Sequence, residues 1–376
     1  MGLLKSFIVA SVGVLLLVLC KTGSVQYGPD MYTYDPSFKV VGYLGAGNFG
    51  EIDSIELDKI THLCLAFANP DADGKLIFRD NTDVTPVVIK GHEAGIKVLI
   101  SLAGGGKPNK EVWREVLSPQ NRSSFIGNIM SYVDRHDLDG VDVDIEWNLL
   151  PTIDTLYAPF VLELRKALHA EGKEITCALN VSGLHPAVTQ ESLEAYDFIN
   201  IMVYDKTGPW NPDKPGQHAP YSYAEEAYNY WTIERNISPD RLVLGMPFYG
   251  HNFDPVGSRH YAKIVKQDIA NAYRDQVGQL YYNGIPDIVR KTELAKEKFN
   301  GVMFWELSQD AHDDLSLLRA VDQTLKAGDC KVKIFFKDED GDGYGNLAKP
   351  YHACQAPNGY VLNSDDADDS DAKVHP

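Results

Sequence analysis

Positive charge is in short supply. The 376 residues hold 35 Lys and Arg against 53 Asp and Glu, a formal net charge of −18. That balance disfavours a nucleic-acid duplex or an anionic membrane surface as partner and leaves a neutral polymer open. Long apolar runs are missing too, since none reaches the roughly 18 residues that a membrane span needs. Cysteine is scarce: five in a chain of this length do not build a disulfide scaffold. Cys64 and Cys177 sit inside apolar strand-like runs, where a buried free thiol is the default. Cys330 and Cys354 flank the start of an acidic tail and could pair in an exported protein, although spacing alone does not assign the bond. An apolar content of 44% is enough for a large core.

The N-terminus reads as a leader rather than as part of the fold. Lys5, the apolar run Phe7 to Leu19 and the small residues Gly23 and Ser24 make a secretory signal over 1–24. Residues 25–38 follow as a linker. The expectation is a secreted, monomeric protein, with a lipid anchor at Cys20 as the alternative.

Between residues 39 and 328, eight short apolar runs alternate with amphipathic stretches. They are 39–44, 61–68, 97–104, 138–147, 174–180, 198–205, 241–250 and 301–307. Helical candidates lie between them, among them Asp154 to Ala170, Tyr223 to Arg235 and Pro286 to Lys298. Eight strands alternating with helices imply a parallel sheet, and an α/β fold closed as a (β/α)8 TIM barrel is the economical solution. An open doubly wound sheet lacks its usual phosphate loop, for GYLGAGNFG (42–50) is only a lone glycine cluster.

The fourth run, LDGVDVDIEWN (138–148), places Asp142, Asp144 and Glu146 on one parity and Val141, Val143 and Ile145 on the other. With period two, one set faces the helices and the other points into the barrel. Three carboxyls in a confined interior cannot all ionise, and a raised acid at the C-terminal end of a barrel strand suits a general acid.

DGVDVDIE (139–146) resembles the DGxDxDxE signature of the family-18 glycoside hydrolases, the chitinases and endo-β-N-acetylglucosaminidases. MVYD (202–205), GMPFYG (245–250) and GVMFWELSQD (301–310) follow in the family's order, and KVLISLAGG (97–105) is similar to its SxGG element, with Ala103 in place of a glycine. The resemblance implies substrate-assisted hydrolysis of β-1,4-linked N-acetylglucosamine with no catalytic cofactor. On that reading Glu146 is the acid, Asp144 orients the acetamide, Asp142 shares a proton with Asp144, and Tyr204 donates to the acetamide carbonyl. Asp205, Trp305, Met202, Tyr43, Phe67 and Trp210 bind sugar, with Tyr221 as a further platform. Only about 50 residues separate Tyr249 from Gly301, so the large insertion of processive relatives is expected to be absent or vestigial. The groove is then open and the action internal. An N-glycan endoglycosidase and a non-hydrolytic chitin-binding lectin are the alternatives.

Residues 329–376 differ in composition. From Asp338 onward nine acids face Lys349 and Lys373 alone. KDEDGDGYGN (337–346) resembles the calcium-binding DxDGDGxG repeats related to thrombospondin type 3 repeats. The resemblance implies Ca²⁺ held by Asp338, Asp340, Asp342, Tyr344 and Asn346.

Overall fold

The computed structural model describes residues 37–78, 81–366 and 368–374. The expected leader with Cys20, and the linker up to residue 36, lie outside them. No helix among the described residues is long and apolar enough to cross a membrane.

Eight parallel strands close into a barrel. They are β1 (Lys39–Gly45), β2 (His62–Pro70), β4 (Lys97–Ala103), β5 (Gly140–Asp144), β6 (Glu174–Asn180), β7 (Phe198–Met202), β8 (Leu242–Pro247) and β13 (Gly301–Trp305). The order β1-β13-β8-β7-β6-β5-β4-β2 is sealed by pairing of β1 with β2, and a short antiparallel β3 (Leu76–Phe78) lies outside β2. The expected TIM barrel is therefore the fold.

Strand parity sorts the core into two layers. Val141, Val143 and Ile145 join the large cluster between sheet and helices, whereas Val41, Tyr43, Cys64, Leu99, Ala178 and Met303 form the smaller cluster inside the cylinder. Cys64 and Cys177 are buried free thiols. Helix Asp154–Ala170 buries Tyr157, Phe160, Val161, Leu164 and Leu168, the stripe that a 3.6-residue period places on one face. The helix expected at Tyr223 to Arg235 begins earlier, at Tyr221, and passes after Asn229 into a π-turn over Tyr230–Glu234. At Ala103 the backbone is left-handed, φ +74°. Here a glycine would avoid the crowding that a Cβ meets.

The segment between β8 and β13 holds more than the expected helix, which spans Ile285–Lys298. A four-stranded antiparallel sheet is added to it: β9 (Tyr249–Phe253), β10 (Val256–His260), β11 (Gln276–Val277) and β12 (Leu280–Tyr281), in the order β10-β9-β12-β11. The insertion is thus small rather than absent.

The acidic tail is folded onto the barrel. Strands β14 (Lys333–Lys337), β15 (Asn346–Ala353) and β16 (Tyr360–Val361) form an antiparallel sheet, and Cys330 and Cys354 are joined in a disulfide. The Gln323 side chain accepts from the His352 backbone N–H at 3.0 Å, and the Tyr273 hydroxyl donates to the Leu347 carbonyl at 2.6 Å. Phe335 and Phe336 are buried beneath this contact, with Tyr273 against the Phe336 ring.

Candidate active site

The inward parity of β5 carries the site. Asp142 is completely buried. Its Oδ2 accepts from Tyr43 Oη at 2.8 Å and Ser101 Oγ at 2.6 Å, and its Oδ1 accepts from Thr176 Oγ1 at 2.7 Å. The Asn200 amide adds a longer bond of 3.5 Å. No hydrogen bond joins Asp142 to Asp144 among the described residues, and both Asp142 oxygens accept from donors on other strands. Burial raises the Asp142 carboxyl, and these donors pull against that. Tyr43 is correspondingly no sugar-facing residue. It is 1% exposed and its hydroxyl is committed to Asp142.

Asp144, at the end of β5, has the opposite character. It is buried, Oδ1 has no partner, and its carboxyl is held well above the usual range by burial and then by Glu146 and Asp142. Glu146 lies one step beyond, partly exposed, with its carboxyl raised to about 7 by burial and by the Asp205 charge. Gly105 makes room for it: a Cβ there would stand 2.7 Å from Glu146 Oε1.

Around these acids lies an aromatic floor. Trp305, at the end of β13, stacks on Phe67 with centroids 5.3 Å apart and leans on Tyr43 at 5.7 Å. Both Phe67 and Trp305 keep part of their surface open. Tyr204 is buried with its hydroxyl turned to Met303 Sδ at 3.8 Å. A thioether is a weak acceptor, so this donor remains available to a better one. Met202 lines a small cleft beside Glu146 with Ala178, Asn180, Leu184 and His185.

Asp205 follows Tyr204 with a left-handed backbone, φ +58°. Its Oδ1 accepts from Tyr249 Oη at 2.6 Å and lies 2.9 Å from His251 Nε2 and 3.5 Å from His218 Nδ1. Burial would raise this carboxyl, but bonds from His218, His251 and Tyr249 outweigh it and hold it low. Trp210 is exposed on the loop and presents an edge contact to His251 at 5.2 Å. The Tyr221 ring is covered on one face by the Arg290 guanidinium at 4.4 Å.

Several residues here have no forerunner in the sequence reading. Ser101, Thr176 and Asn200 are the polar members of apolar strand runs, a signal present in the sequence. His218 and His251 lie on a loop and a short strand, where no period marks them. Trp147 closes the fourth run and is half-exposed beside His185.

In the tail, the carboxylates of Asp338, Asp340 and Asp342 gather within 4.8 Å of one another, and Asp340 forms a second such group with Asp366 and Asp369. One oxygen each of Asp340, Asp342, Asp366 and Asp369 is buried without a partner. Tyr344 donates its N–H to Asp342 Oδ1, and Asn346 Oδ1 accepts from Ala348 N–H. Asp366 and Asp369 extend the expected set, and Asn346 is bridged to Asp366 through its backbone. The unpartnered oxygens of this donor set fit a hard divalent cation.

Residues 39–310 match the profile of the glycosyl hydrolases family 18. This chain belongs to that family. The tail lies beyond the matched residues. Among solved structures, the family 18 chitinase ChiB from the chitin utilization locus of Flavobacterium johnsoniae is 40% identical, with 78% of this chain and 94% of that chain covered and a TM-score of 0.74. A chitinase from Bacteroides thetaiotaomicron is 32% identical over 77% of this chain and 96% of that one, with a TM-score of 0.66. A chitinase-like effector of Moniliophthora roreri is 29% identical over 227 residues. This chain spans 55% of that protein and 17% of a probable chitinase of Drosophila melanogaster that it also resembles.

Proposed function

We propose that this chain is an exported, endo-acting, retaining glycosidase that cleaves β-1,4-linked N-acetylglucosamine in chitin or chito-oligosaccharides. The observation that carries the reading is the contrast along β5. Glu146 is raised to about 7 and reaches the cleft, and Asp144 beside it is buried with an oxygen that nothing in the protein satisfies. An acid and a waiting acceptor two residues apart suit one sugar unit, since neighbours at that spacing lie about 6.6 Å apart along a strand.

In this reaction Glu146 protonates the glycosidic oxygen as the acetamide oxygen of the same sugar attacks C1. The C1–O bond breaks and an oxazolinium forms. Asp144 passes its proton to Asp142, accepts the acetamide N–H and balances the cation, Tyr204 turns from the Met303 sulfur to donate to the acetamide oxygen, and Trp305 carries the apolar face of the ring. Water then opens the oxazolinium at C1 and returns its proton to Glu146, so the anomeric configuration is kept. The small insertion after β8 supports an open groove and internal cleavage. The disulfide Cys330–Cys354 supports export, because such bonds persist in oxidising compartments.

Glu146→Gln is the test, with turnover and binding measured on one chito-oligosaccharide. Turnover is expected to fall by at least ~10²-fold with binding retained. An unchanged rate refutes the assignment of the acid. Wild-type protein that binds chitin without cleaving it establishes a lectin, and faster release of N-glycans than of chito-oligosaccharides establishes the endoglycosidase reading.

The tail supports a second reading: Asp338, Asp340, Asp342, Asp366 and Asp369 hold Ca²⁺, with no part in catalysis. Its support is the set of buried oxygens without partners.

A further inference from the structure

Asp205, His218 and His251 converge from two places: the loop after β7, which carries the first two, and β9, which carries the third. We propose that these three side chains form a binding site for a divalent transition ion of the zinc class at the rim of the cleft, and that occupancy switches off hydrolysis.

Geometry carries the argument. Tetrahedral Zn²⁺ with bonds near 2.0–2.1 Å separates its ligand atoms by about 3.3 Å. Asp205 Oδ1 stands 2.9 Å from His251 Nε2 and 3.5 Å from His218 Nδ1, and the set fits within 4.8 Å. Both rings are buried, so their positions are fixed by packing rather than by solvent. Each ring also has a partner for its other nitrogen. His218 Nε2 faces the Tyr249 carbonyl at 3.3 Å, and His251 Nδ1 faces Ser258 Oγ at 2.9 Å. Outer partners of this kind orient metal-bound imidazoles.

Electrostatics agree. A neutral His218 has one N–H to divide between the Tyr249 carbonyl and the Asp205 carboxylate. With that proton on Nε2, the Nδ1 lone pair accepts a long bond of 3.5 Å from the Asp205 backbone N–H and lies equally near the Asp205 carboxylate. A cation accepts both. Two imidazoles and one carboxylate select zinc, copper or nickel over Ca²⁺, which prefers an all-oxygen shell. The Asp205 side chain is 45% exposed, which leaves an open position for water.

Occupancy engages the carboxylate that otherwise faces sugar and Glu146. That consequence rests on the glycosidase reading, whereas the binding itself does not.

The test is calorimetric titration of the full chain with Zn²⁺ in a large excess of Ca²⁺, which saturates the acidic tail. One equivalent is expected to bind, and His251→Gln and Asp205→Asn should each weaken it more than about tenfold. Ser258→Ala, which leaves every ligand in place, should weaken it by about tenfold through the lost outer partner. Because His218 and His251 are buried, the fold of each variant is verified by circular dichroism, and Ser258→Ala keeps the question decidable if the histidine variants unfold. No saturable binding, or equal affinity in wild type, Asp205→Asn and Ser258→Ala, overturns the proposal. If Zn²⁺ binds as described but chito-oligosaccharide hydrolysis continues at full rate, the site stands and its inhibitory role is refuted. A wild type that is inactive without Zn²⁺ counts against the glycosidase reading instead.

Discussion

Replacing Asp205 with Asn should move the alkaline limb of the kcat/KM profile to lower pH. Glu146 must carry its proton to act as an acid, and burial with the Asp205 charge raises it to about 7 from the ordinary 4.5. At pH 6 a carboxyl titrating at about 7 is ~90% protonated and one at about 4.5 is ~3% protonated, roughly a thirtyfold difference in competent enzyme. Burial is the larger cause and survives the substitution, so only the Asp205 share is lost, about 0.5 to 1 pH unit. The sign follows from charge: a negative neighbour penalises the Glu146 anion, and its removal lets the proton leave at lower pH. Wild-type kcat/KM should bend near 7 and then fall about tenfold per unit, whereas the variant should bend at about 6 to 6.5. On the proposed reading Asp205 also contacts the sugar, so the height of the profile will drop and the position of the bend is the readout. Initial rates on a chromogenic chito-oligosaccharide across the pH range give it. A bend that stays put, or moves upward, refutes the electrostatic coupling.

Three further outcomes can be checked. Ca²⁺ should raise the resistance of the tail to limited proteolysis in the wild type, and Asp369→Ala should abolish that protection while the barrel still unfolds at its usual temperature; equal cleavage with Ca²⁺ and with chelator refutes the site. Tyr43→Phe keeps the ring and removes one donor from Asp142, which should cost about 1–3 kcal/mol and lower Tm by a few degrees; an unchanged Tm in thermal unfolding refutes the role given to that bond. Glu174 is partly buried, yet His62 and Lys97 hold its carboxyl down to about 2. Its folded-state value lies below the unfolded one, so the contribution is present above about 4.5 and fades as pH falls toward 2. Glu174→Gln should therefore lose ~1–3 kcal/mol in denaturant melts at neutral pH, with the gap to wild type closing in acid; a gap independent of pH refutes the linkage.

The barrel was legible because strong periods are local. In Val141, Val143 and Ile145 the alternation says which face meets the helices, and Tyr157, Phe160, Val161, Leu164 and Leu168 mark one helical stripe. The small sheet after β8 was not, because β11 and β12 have two residues each and no alternation can register in so short a segment. The acids were legible as a set, yet their division of labour was not. Asp142 and Asp144 look alike in DVD, and only the side chains of four other strands make one saturated and the other bare. Tyr43 shows the same limit: an aromatic residue near a strand end can serve the ligand or the scaffold, and its hydroxyl partner decides. Asp366 and Asp369 were hidden by distance along the chain, since pairing of the tail strands is what brings them to Asp340.

Asp142 receives hydrogen bonds from β1, β4, β6 and β7 while sitting on β5. A single carboxylate thus laces five of the eight staves at their axis. Evolution toward a different working pH through this residue or its donors must loosen the cylinder at the same stroke. Groups reached from outside the lacing, such as Asp205, are where acidity can be retuned without that loss, so adaptive change in acidity is expected to collect on the rim while the axis stays fixed.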